Sequence, residues 1–291
     1  MEERLHTINT VDLMDVNAVS KQQAITALES GKVMHLPCYG FLLTQKEQLL
    51  LCESMLNPKY KNISYDYQQQ YLAGYATRAP IPILQAFMHR FAEFSKQLID
   101  HVLPDYNQAL QWGRTSYRPA EINGRKTSKR KDDTRIHVDS FSATPVNGLR
   151  ILRVFSNINP QGEPRVWHVG EPFQKVLLTF APTIPPYNPI RAKLLKWTKI
   201  TKTLRSAYDH YMLQLHDRMK LDDHYQEQLN KHQIDFHPNS TWVVFTDHVS
   251  HAAIRGQYLL EQTFYLPVSA MQNPDLSPLK QWEKEKACVL A

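Results

Sequence analysis

Cysteine is scarce in this sequence, and its three copies, Cys38, Cys52 and Cys288, lie far apart. They form neither a CxxC pair nor an even set. The pattern therefore argues against a disulfide framework and against a thiolate zinc site. Free cysteines of this kind are typical of a reducing compartment.

Long apolar runs are also missing, and none approaches the length of a transmembrane helix. The first residues, MEERLHTINTVDLMD, are acidic and polar and lack the apolar core of a signal peptide. We therefore expect a cytoplasmic protein. Only 9 glycines and 21% charged residues, beside 42% hydrophobic residues, argue against disorder and favour a well-packed domain.

Acidic residues are fewer than basic ones, 28 against 34, so the formal net charge is +6. A basic surface suits an anionic partner, which can be nucleic acid, a phosphorylated or carboxylated small molecule, or an anionic membrane face. The charge by itself does not choose among these three classes.

Helical spacing dominates the first 110 residues. Segments 20–32, 44–56 and 82–103 each repeat apolar residues at intervals of three and four, whereas 33–43 is compatible with a strand or a buried turn. In segment 82–103 the apolar positions are Leu84, Phe87, Phe91, Phe94 and Leu98. We expect a mostly helical N-terminal part over 1–110.

The composition then changes to β-branched and aromatic residues, which favour strands. The predicted strands are 148–160, 174–181, 240–247 and 256–267. Between the second and third strands, the polar stretch 190–232 carries apolar residues at helical spacing, which predicts a helical insertion. These residues are Tyr208, Met212, Leu215 and Met219. The strands and helices do not alternate regularly, so a parallel sheet of the dinucleotide-binding type is not expected.

The stretch TRIHVDSF (134–141) places His137 and Asp139 two residues apart. At a strand end, residues at this spacing project from the same face. An imidazole and a carboxylate so placed can bind two adjacent positions of a metal, and a distal His would complete the 2-His-1-carboxylate triad of non-haem Fe(II) oxygenases. In a chain with 13 His, an isolated HxD is explained at least as well by two hydrogen-bonding residues at a strand end.

A downstream histidine strengthens the metal interpretation. The apolar run WVVF is followed by a short loop that contains His248 and His251. We prefer His251 as the distal ligand, because HAAI can begin the next strand whereas TDHVS reads as the turn before it. His248 stays open as the alternative.

Oxygenases of this kind usually take 2-oxoglutarate, whose distal carboxylate needs a cation. Many place an Arg on the last core strand, but this chain has no Arg after Arg255. Arg150 and Arg153, in the strand after HxD, are the candidates to replace it. They have opposite strand parity, and we favour Arg153 because a buried Arg needs an anionic partner.

A dense group of basic residues lies directly before the HxD motif. Its position predicts that it recognises an anionic substrate, although such a run is more often a solvated loop. The candidate substrate-binding residues are Arg118, Arg125, Lys126, Lys129, Arg130 and Lys131.

A second basic run, 191–205, contains no acidic residue. Its Trp197, Ile200 and Leu204 would share one face of a helix. This pattern indicates either a membrane-surface helix or packing against the core.

Four blocks of the sequence closely resemble the Kdo hydroxylases, bacterial Fe(II)- and 2-oxoglutarate-dependent dioxygenases that act on the 3-deoxy-D-manno-octulosonic acid (Kdo) of lipopolysaccharide. These blocks are TSYRPAEINGRKTSKR, RKDDTRIHVDSFSATPVNGLRILRVFSNINPQGEPRVW, YDHYMLQLHDRMKLDDHYQ and TDHVSHAAIRGQYLLEQTF. The resemblance implies 3-hydroxylation of a Kdo sugar attached to lipid A, with succinate and CO₂ as by-products. By position, it makes His137, Asp139 and His251 the metal ligands.

We therefore expect a single dioxygenase domain over 1–291. The fold class is α+β or mainly β, with a double-stranded β-helix (jelly-roll, cupin-like) core over 111–270, packed helices, a helical insertion at about 190–232 and a C-terminal tail over 271–291. The expected cofactors are Fe(II), 2-oxoglutarate and O₂. The expected partner is a Kdo-lipid A glycolipid, with docking on the anionic inner membrane and without nucleic acid. The alternatives are a cupin-like metalloenzyme of other chemistry and a basic nucleic-acid-binding protein.

Overall fold

The computed structural model describes residues 4–125 and 127–291. Within them lie eleven strands: β1 (Leu5–Thr7), β2 (Val33–Leu36), β3 (Ile63–Asp66), β4 (Tyr71–Ala73), β5 (Gln111–Arg118), β6 (Arg150–Asn157), β7 (Arg165–Val169), β8 (His232–Phe236), β9 (Thr241–Phe245), β10 (His251–Arg255) and β11 (Leu259–Leu266). The same residues form eight α-helices: α1 (Ala18–Glu29), α2 (Gln45–Gln48), α3 (Ile81–Val102), α4 (Phe173–Phe180), α5 (Pro189–Trp197), α6 (Ala207–Leu221), α7 (Asp223–Gln228) and α8 (Pro278–Lys286).

The strands form two sheets, so the fold is of mixed α and β type. The large sheet has eight strands in the order β1-β2-β9-β6-β11-β5-β3-β4, and the small sheet has three in the order β10-β7-β8. Only β1 and β2 pair in parallel among the described strands, and the other pairs are antiparallel. The expectation that the chain lacks a parallel dinucleotide-binding sheet is confirmed.

Helices cover one face of the large sheet and the small sheet covers the other. Leu152 and Val154 on β6 pack in one hydrophobic cluster with residues of α1 and α3. Phe155, on the opposite face of β6, belongs to a second cluster with aromatic residues of the small sheet. There Trp242 stacks on Phe236 at 4.0 Å between ring centroids. Each large ring buried in this way stabilises the fold by about 1.5–3 kcal/mol.

Two helices have the buried faces that their sequence periodicity predicts. On α3, Leu84, Phe87, Phe91 and Leu98 are buried, while Phe94 is half-buried and stacks on Tyr39. On α6, the four predicted apolar residues are all buried. A capping box between Ser206 and Asp209 begins this helix by satisfying its first free amides.

The prediction of a strand over 174–181 is wrong, because these residues form α4. Phe173, Val176, Leu177 and Phe180 are the buried residues of α4. Their spacing of three and four is that of a helix face, and it outweighs the strand preference of a VLLTF run. The helical insertion therefore begins at Phe173 rather than at about residue 190, and it extends to the end of α7 between β7 and β8.

The sequence did not predict several strands. The first 110 residues supply α1, α2 and α3, but also β1 to β4, of which only β2 falls in a segment left open as a strand. Strands β5, β7 and β8 were also missed. The C-terminal residues include α8, where the buried Trp282 stacks on Tyr211 at 5.1 Å between ring centroids.

Helix α5 ends at Trp197, so the prediction that Trp197, Ile200 and Leu204 share one helix face is wrong. Ile200 and Leu204 lie beyond the helix, in the linker to α6. The alternative of core packing does not hold for Trp197, whose exposed fraction is 80%. Among the described residues, no helix combines the length and the apolar character needed to cross a membrane.

Candidate metal centre

His137, Asp139 and His251 come together at one edge of the small sheet. One ligand atom from each residue lies within 4.8 Å of the other two, and this is a set that can hold a metal ion. The backbones of the two histidines pair directly: the His137 amide donates to the His251 carbonyl at 3.0 Å, and the His251 amide donates to the His137 carbonyl at 2.8 Å. This pairing fixes the separation of the two imidazoles before any ligand binds.

Each of these imidazoles is oriented by a carbonyl two residues earlier in the chain. Nδ1 of His137 lies 2.8 Å from the Arg135 carbonyl, and Nδ1 of His251 lies 2.8 Å from the Val249 carbonyl. A carbonyl only accepts hydrogen bonds, so both Nδ1 atoms carry the proton and both Nε2 atoms keep a lone pair. This is the tautomer that a metal-binding histidine requires.

Ring contacts hold the imidazoles from the side. The Trp167 indole on β7 stacks on His251 at 4.8 Å between ring centroids. His216 on α6 meets the His137 ring edge-on at 5.3 Å. The helical insertion and the small sheet therefore both form walls of the cluster.

The electrostatics of the three residues suit a cation. Burial lowers the pKa of His137 to about 3 and also lowers the pKa of His251, so both imidazoles are neutral. Burial opposes ionisation of Asp139, but the Arg153 guanidinium, with Nη1 3.2 Å from Oδ2, holds the pKa of this carboxyl well below its usual range. Apart from this ion pair, the buried Oδ2 of Asp139 accepts no hydrogen bond from the described residues. Neutral imidazoles and an ionised carboxylate are the protonation states that metal binding needs.

His248, the alternative distal residue, lies elsewhere. It is buried, its ring meets Phe173 edge-on at 5.6 Å, and it lines a separate cavity beside Gly31. Nδ1 of His248 has no hydrogen-bond partner among the described residues. The structure brings His251 to His137 and Asp139, and it does not bring His248 there.

The two arginines of β6 point to opposite faces, as their parity predicts. Arg150 is fully buried away from the cluster, where Nε donates to Oδ2 of Asp247 at 2.7 Å and the guanidinium lies over the Phe245 ring. Arg153 faces the cluster and pairs with Asp139 and, at 3.3 Å, with Oε1 of Glu261. Arg153 therefore already has two carboxylate partners.

A cavity of about 450 Å³ opens beside the three residues, between the two sheets. Its walls come from β5, β6, β7, β10 and β11 together with α6 and the loop 140–144. From α6, the buried Lys220 places Nζ 3.9 Å from Oδ1 of Asp133. The cavity is therefore lined by charges of both signs, with the metal-binding set at its inner end.

The basic segment before HxD divides into two groups. Arg118, Arg130 and Lys131 line the cavity. Arg125 and Lys129 do not: Nη1 of Arg125 donates to the Lys61 carbonyl at 3.4 Å, and Nζ of Lys129 pairs with Asp223 at 2.5 Å. Lys126 lies outside the described residues.

Most cations of the segment that line the cavity also have acidic partners. Arg118 pairs with Glu261 at 3.0 Å, and Nε of Arg130 lies 3.1 Å from Oδ2 of Asp217. Part of the basic segment therefore ties the loop to α6 and α7, and only part of it is available to an anion.

Arg165 on β7 is a residue that the sequence reasoning missed. It is buried and lines the cavity, and its one side-chain hydrogen bond among the described residues runs from Nη1 to the Gly256 carbonyl at 2.7 Å. Nε has no partner. Burial, followed by the neighbouring Arg118, lowers the pKa of Arg165 to about 9. A weak signal was present in the sequence, because Arg165 is directly followed by Val166 and Trp167, and a buried Arg supports the same argument that was applied to Arg153.

Comparison with known proteins gives a consistent family. The sequence model of the 3-deoxy-D-manno-oct-2-ulosonic acid (Kdo) hydroxylases matches residues 13–287. A crystal structure of the Kdo hydroxylase KdoO, a non-heme Fe(II) alphaketoglutarate dependent dioxygenase, in complex with cobalt(II), is 43% identical with a TM-score of 0.96, and the match covers 99% of this chain and 97% of that one.

A second structure of KdoO, in complex with alphaketoglutarate and Fe(III), is also 43% identical, with a TM-score of 0.95 and coverage of 99% and 98%. A comparison with curated protein sequences gave no match.

Proposed function

The chain belongs to the Kdo hydroxylase family, and from this premise we propose that it is an Fe(II)- and 2-oxoglutarate-dependent dioxygenase that hydroxylates a Kdo sugar. The observation that carries the proposal is the pair of imidazoles with carbonyl-bound Nδ1 atoms, placed with an ionised carboxylate at the inner end of a cavity. Two neutral nitrogen donors and one carboxylate form the facial set of non-haem Fe(II) oxygenases.

His137, Asp139 and His251 would hold the iron. Bound Fe(II) supplies oxygen activation coupled to decarboxylation of 2-oxoglutarate, chemistry that no side chain can perform. Arg153 keeps Asp139 ionised, while the backbone pairing of His137 with His251 keeps both donors in place without a metal. The indole of Trp167 and the imidazole of His216 keep water from the sides of the two ligand rings.

Arg165 is our candidate for the distal carboxylate of 2-oxoglutarate. Strand pairing sets Val169 opposite His251 and Trp167 opposite Ala253, so Arg165 projects into the cavity from the same face of β7 as Trp167. No carboxylate of the described residues lies within ion-pair distance of its guanidinium, whereas Arg153 pairs with two carboxylates. A buried cation without an acidic partner favours an anionic ligand. The sequence predicted Arg153, with Arg150 as the alternative, and this choice stays open to experiment.

The outer part of the cavity suits an anionic sugar. Lys61, Arg118, Arg130 and Lys131 line it, and charged donors of this kind bind carboxylate and phosphate groups. We propose that they contact the Kdo carboxylates and the phosphates of lipid A. A glycolipid of this kind lies in a membrane, so we also propose that the enzyme docks peripherally on the cytoplasmic face of the inner membrane.

We further propose that the two sheets are a distorted double-stranded β-helix within a single domain. The small sheet, β10-β7-β8, packs against β9 and β6 of the large sheet through aromatic residues, and the metal-binding set lies where β10 begins. This is the position that a jelly-roll core gives to a ligand site at its open end.

Purified protein tests the proposal. With Fe(II), O₂ and 2-oxoglutarate, it should form succinate and add one oxygen atom to Kdo-lipid A, as seen by mass spectrometry. Omission of iron or exclusion of O₂ should abolish both products. Succinate formation with no change in any Kdo substrate would support the assignment as a dioxygenase but contradict the assignment of Kdo as its substrate. No succinate under any condition, with metal bound, would favour the alternative of a metalloenzyme of other chemistry.

A further inference from the structure

Helix α5 presents an unusual outer surface. Ile190, Leu194 and Trp197 are 77%, 54% and 80% exposed, and their spacing places them on one stripe of the helix. On the opposite side, Ala192 is buried and Leu195 is half-buried, so the helix packs on the body through that side. The helix is therefore packed on the protein, and its apolar stripe faces the solvent.

Cations surround this stripe. Arg191, Lys193, Lys196, Lys199 and Lys202 are all exposed, and no acidic residue occurs between residues 189 and 205. Within the part of the chain that the structure describes, none of the five is within ion-pair distance of a carboxylate. The surface combines unpaired positive charge with an indole and aliphatic side chains, and an anionic lipid bilayer has complementary properties: negative headgroups above an apolar interior.

The same element borders the entrance to the cavity. The loop 140–144 forms part of the cavity wall. In the linker after α5, the Lys202 amide donates to the Ala143 carbonyl at 2.9 Å, and Nη2 of Arg205 donates to the Ser142 carbonyl at 2.7 Å. Contact of the α5 surface with a bilayer would therefore bring the cavity entrance to the headgroup layer, where a sugar attached to a lipid lies.

We propose that the α5 surface, formed by α5 and the linker through Lys202, is the docking surface of this protein for an anionic phospholipid bilayer. Trp197, Leu194 and Ile190 enter the interface between headgroups and acyl chains, and the five cations contact lipid phosphates. The reason for such docking rests on the proposed function, since an enzyme that acts on a lipid-linked sugar needs its cavity entrance to face the membrane. The docking itself is measurable without turnover.

Vesicle sedimentation of the full-length protein, without cosubstrates, tests the charge component. Wild type should bind vesicles of phosphatidylethanolamine with phosphatidylglycerol, in a salt-sensitive manner, and bind phosphatidylcholine vesicles weakly. Lys193→Glu/Lys196→Glu should lower the apparent affinity for the anionic vesicles by at least about tenfold. The matched control Lys46→Glu/Lys231→Glu changes the net charge equally at exposed positions outside the surface, and it should change affinity by less than about twofold.

The apolar component has its own test. Leu194→Ser/Trp197→Ser should weaken binding, whereas Val19→Ser/Leu49→Ser, at positions 66% and 67% exposed, should not. Of the five tryptophans, Trp112 is half-buried and Trp167, Trp242 and Trp282 are buried. Phosphatidylglycerol with brominated acyl chains should therefore quench the emission of Trp197 on binding, and Trp197→Phe should lose this quenching.

Three results would overturn the docking surface. The first is wild type with no preference for anionic vesicles, and the second is equal binding by the α5 variants and their controls. The third is self-association in light scattering that the α5 variants abolish, which would make a second copy of the chain the occupant. Loss of activity by the α5 variants on vesicle-embedded Kdo-lipid A, but not on detergent-dispersed substrate, would support it. If vesicle binding behaves as expected but no Kdo substrate is hydroxylated, the proposed function fails and the docking surface stands.

Discussion

Two cavities lie close to the segment between β9 and β10, and they differ in size and in chemistry. The larger, about 870 Å³, contains His248 together with Gly31 and Phe173. The smaller, about 450 Å³, contains His251 together with His137 and Asp139. Two histidines three residues apart therefore belong to different sites, and the larger space is not the one with the metal-binding set.

Burial alone does not distinguish the histidine of the metal-binding set from the other one. Both imidazoles are buried, and burial lowers the pKa of both. His251 has Nδ1 bound to a carbonyl, a carboxylate close by and a second imidazole opposite, whereas Nδ1 of His248 has no partner among the described residues. A histidine becomes a competent ligand when a neighbour fixes its tautomer and other donors converge with it. A low pKa alone does not make it one.

Removal of a converging residue should have the largest effect. We expect that His137→Ala, Asp139→Ala and His251→Ala each reduce succinate formation to background and weaken Co(II) or Fe(II) binding, because each leaves only two protein ligands. His248→Ala should retain substantial activity. Turnover assays and metal titration with matched circular dichroism spectra check both statements. An inactive His248→Ala beside an active His251→Ala would reverse our assignment.

Arg153 and Arg165, two of the arginines that line the smaller cavity, provide the next comparison. Arg165→Leu should raise KM for 2-oxoglutarate by about 100-fold, because it removes the proposed charge partner of the distal carboxylate. Arg153→Leu should instead weaken metal affinity by about 10- to 100-fold, because Arg153 supports Asp139. Steady-state kinetics in 2-oxoglutarate and metal titration separate the two effects. A large rise in KM for Arg153→Leu, and none for Arg165→Leu, would restore the assignment made from the sequence.

His248 should contribute to the pH dependence of the free energy of unfolding. Burial, with a smaller effect of Arg150, lowers its pKa from 6.5 to about 3. Below pH 6.5 the unfolded chain binds a proton that the folded protein does not bind until about pH 3, so the free energy of unfolding decreases as the pH falls through this window. With a metal chelator present, the thermal stability of His248→Gln should decrease less steeply with falling pH than that of wild type. Part of the slope should remain, since His137 shifts in the same direction. Parallel slopes for the two proteins would contradict this.

Substitution of an exposed basic residue that lines the smaller cavity, here called its basic rim, should have the smallest effect on activity. Lys131 lines the cavity, whereas Lys129 pairs with Asp223 outside it. Lys131→Ala should lower kcat/KM for the lipid-linked sugar by about 3- to 10-fold and flatten its salt dependence, because exposed charges are screened. Lys129→Ala is the matched control, since an exposed ion pair contributes about 0–1 kcal/mol. In both variants the uncoupled conversion of 2-oxoglutarate should be unchanged, and a parallel loss of both reactions would make the rim structural.

Local features of the structure were largely predictable. The buried faces of α3 and α6 follow from apolar spacing, and β6, β9 and β11 follow from β-branched and aromatic runs. The error at α4 arose where strand preference and helical spacing disagreed in one short segment. Strands β7 and β8 were missed because they are short and polar at several positions, and they are stabilised mainly by pairing with each other and with β10.

By itself the sequence determined which residue types were available: an HxD pair, two downstream histidines, two arginines of opposite parity on one strand, and a basic run before them. Only the tertiary structure decided which of them meet. The choice between His248 and His251, and the place of Arg165, depend on how β10, β7 and the chain at His137 pair. Those pairings join residues that are distant along the chain, and a one-residue change of register would turn each side chain to the other face.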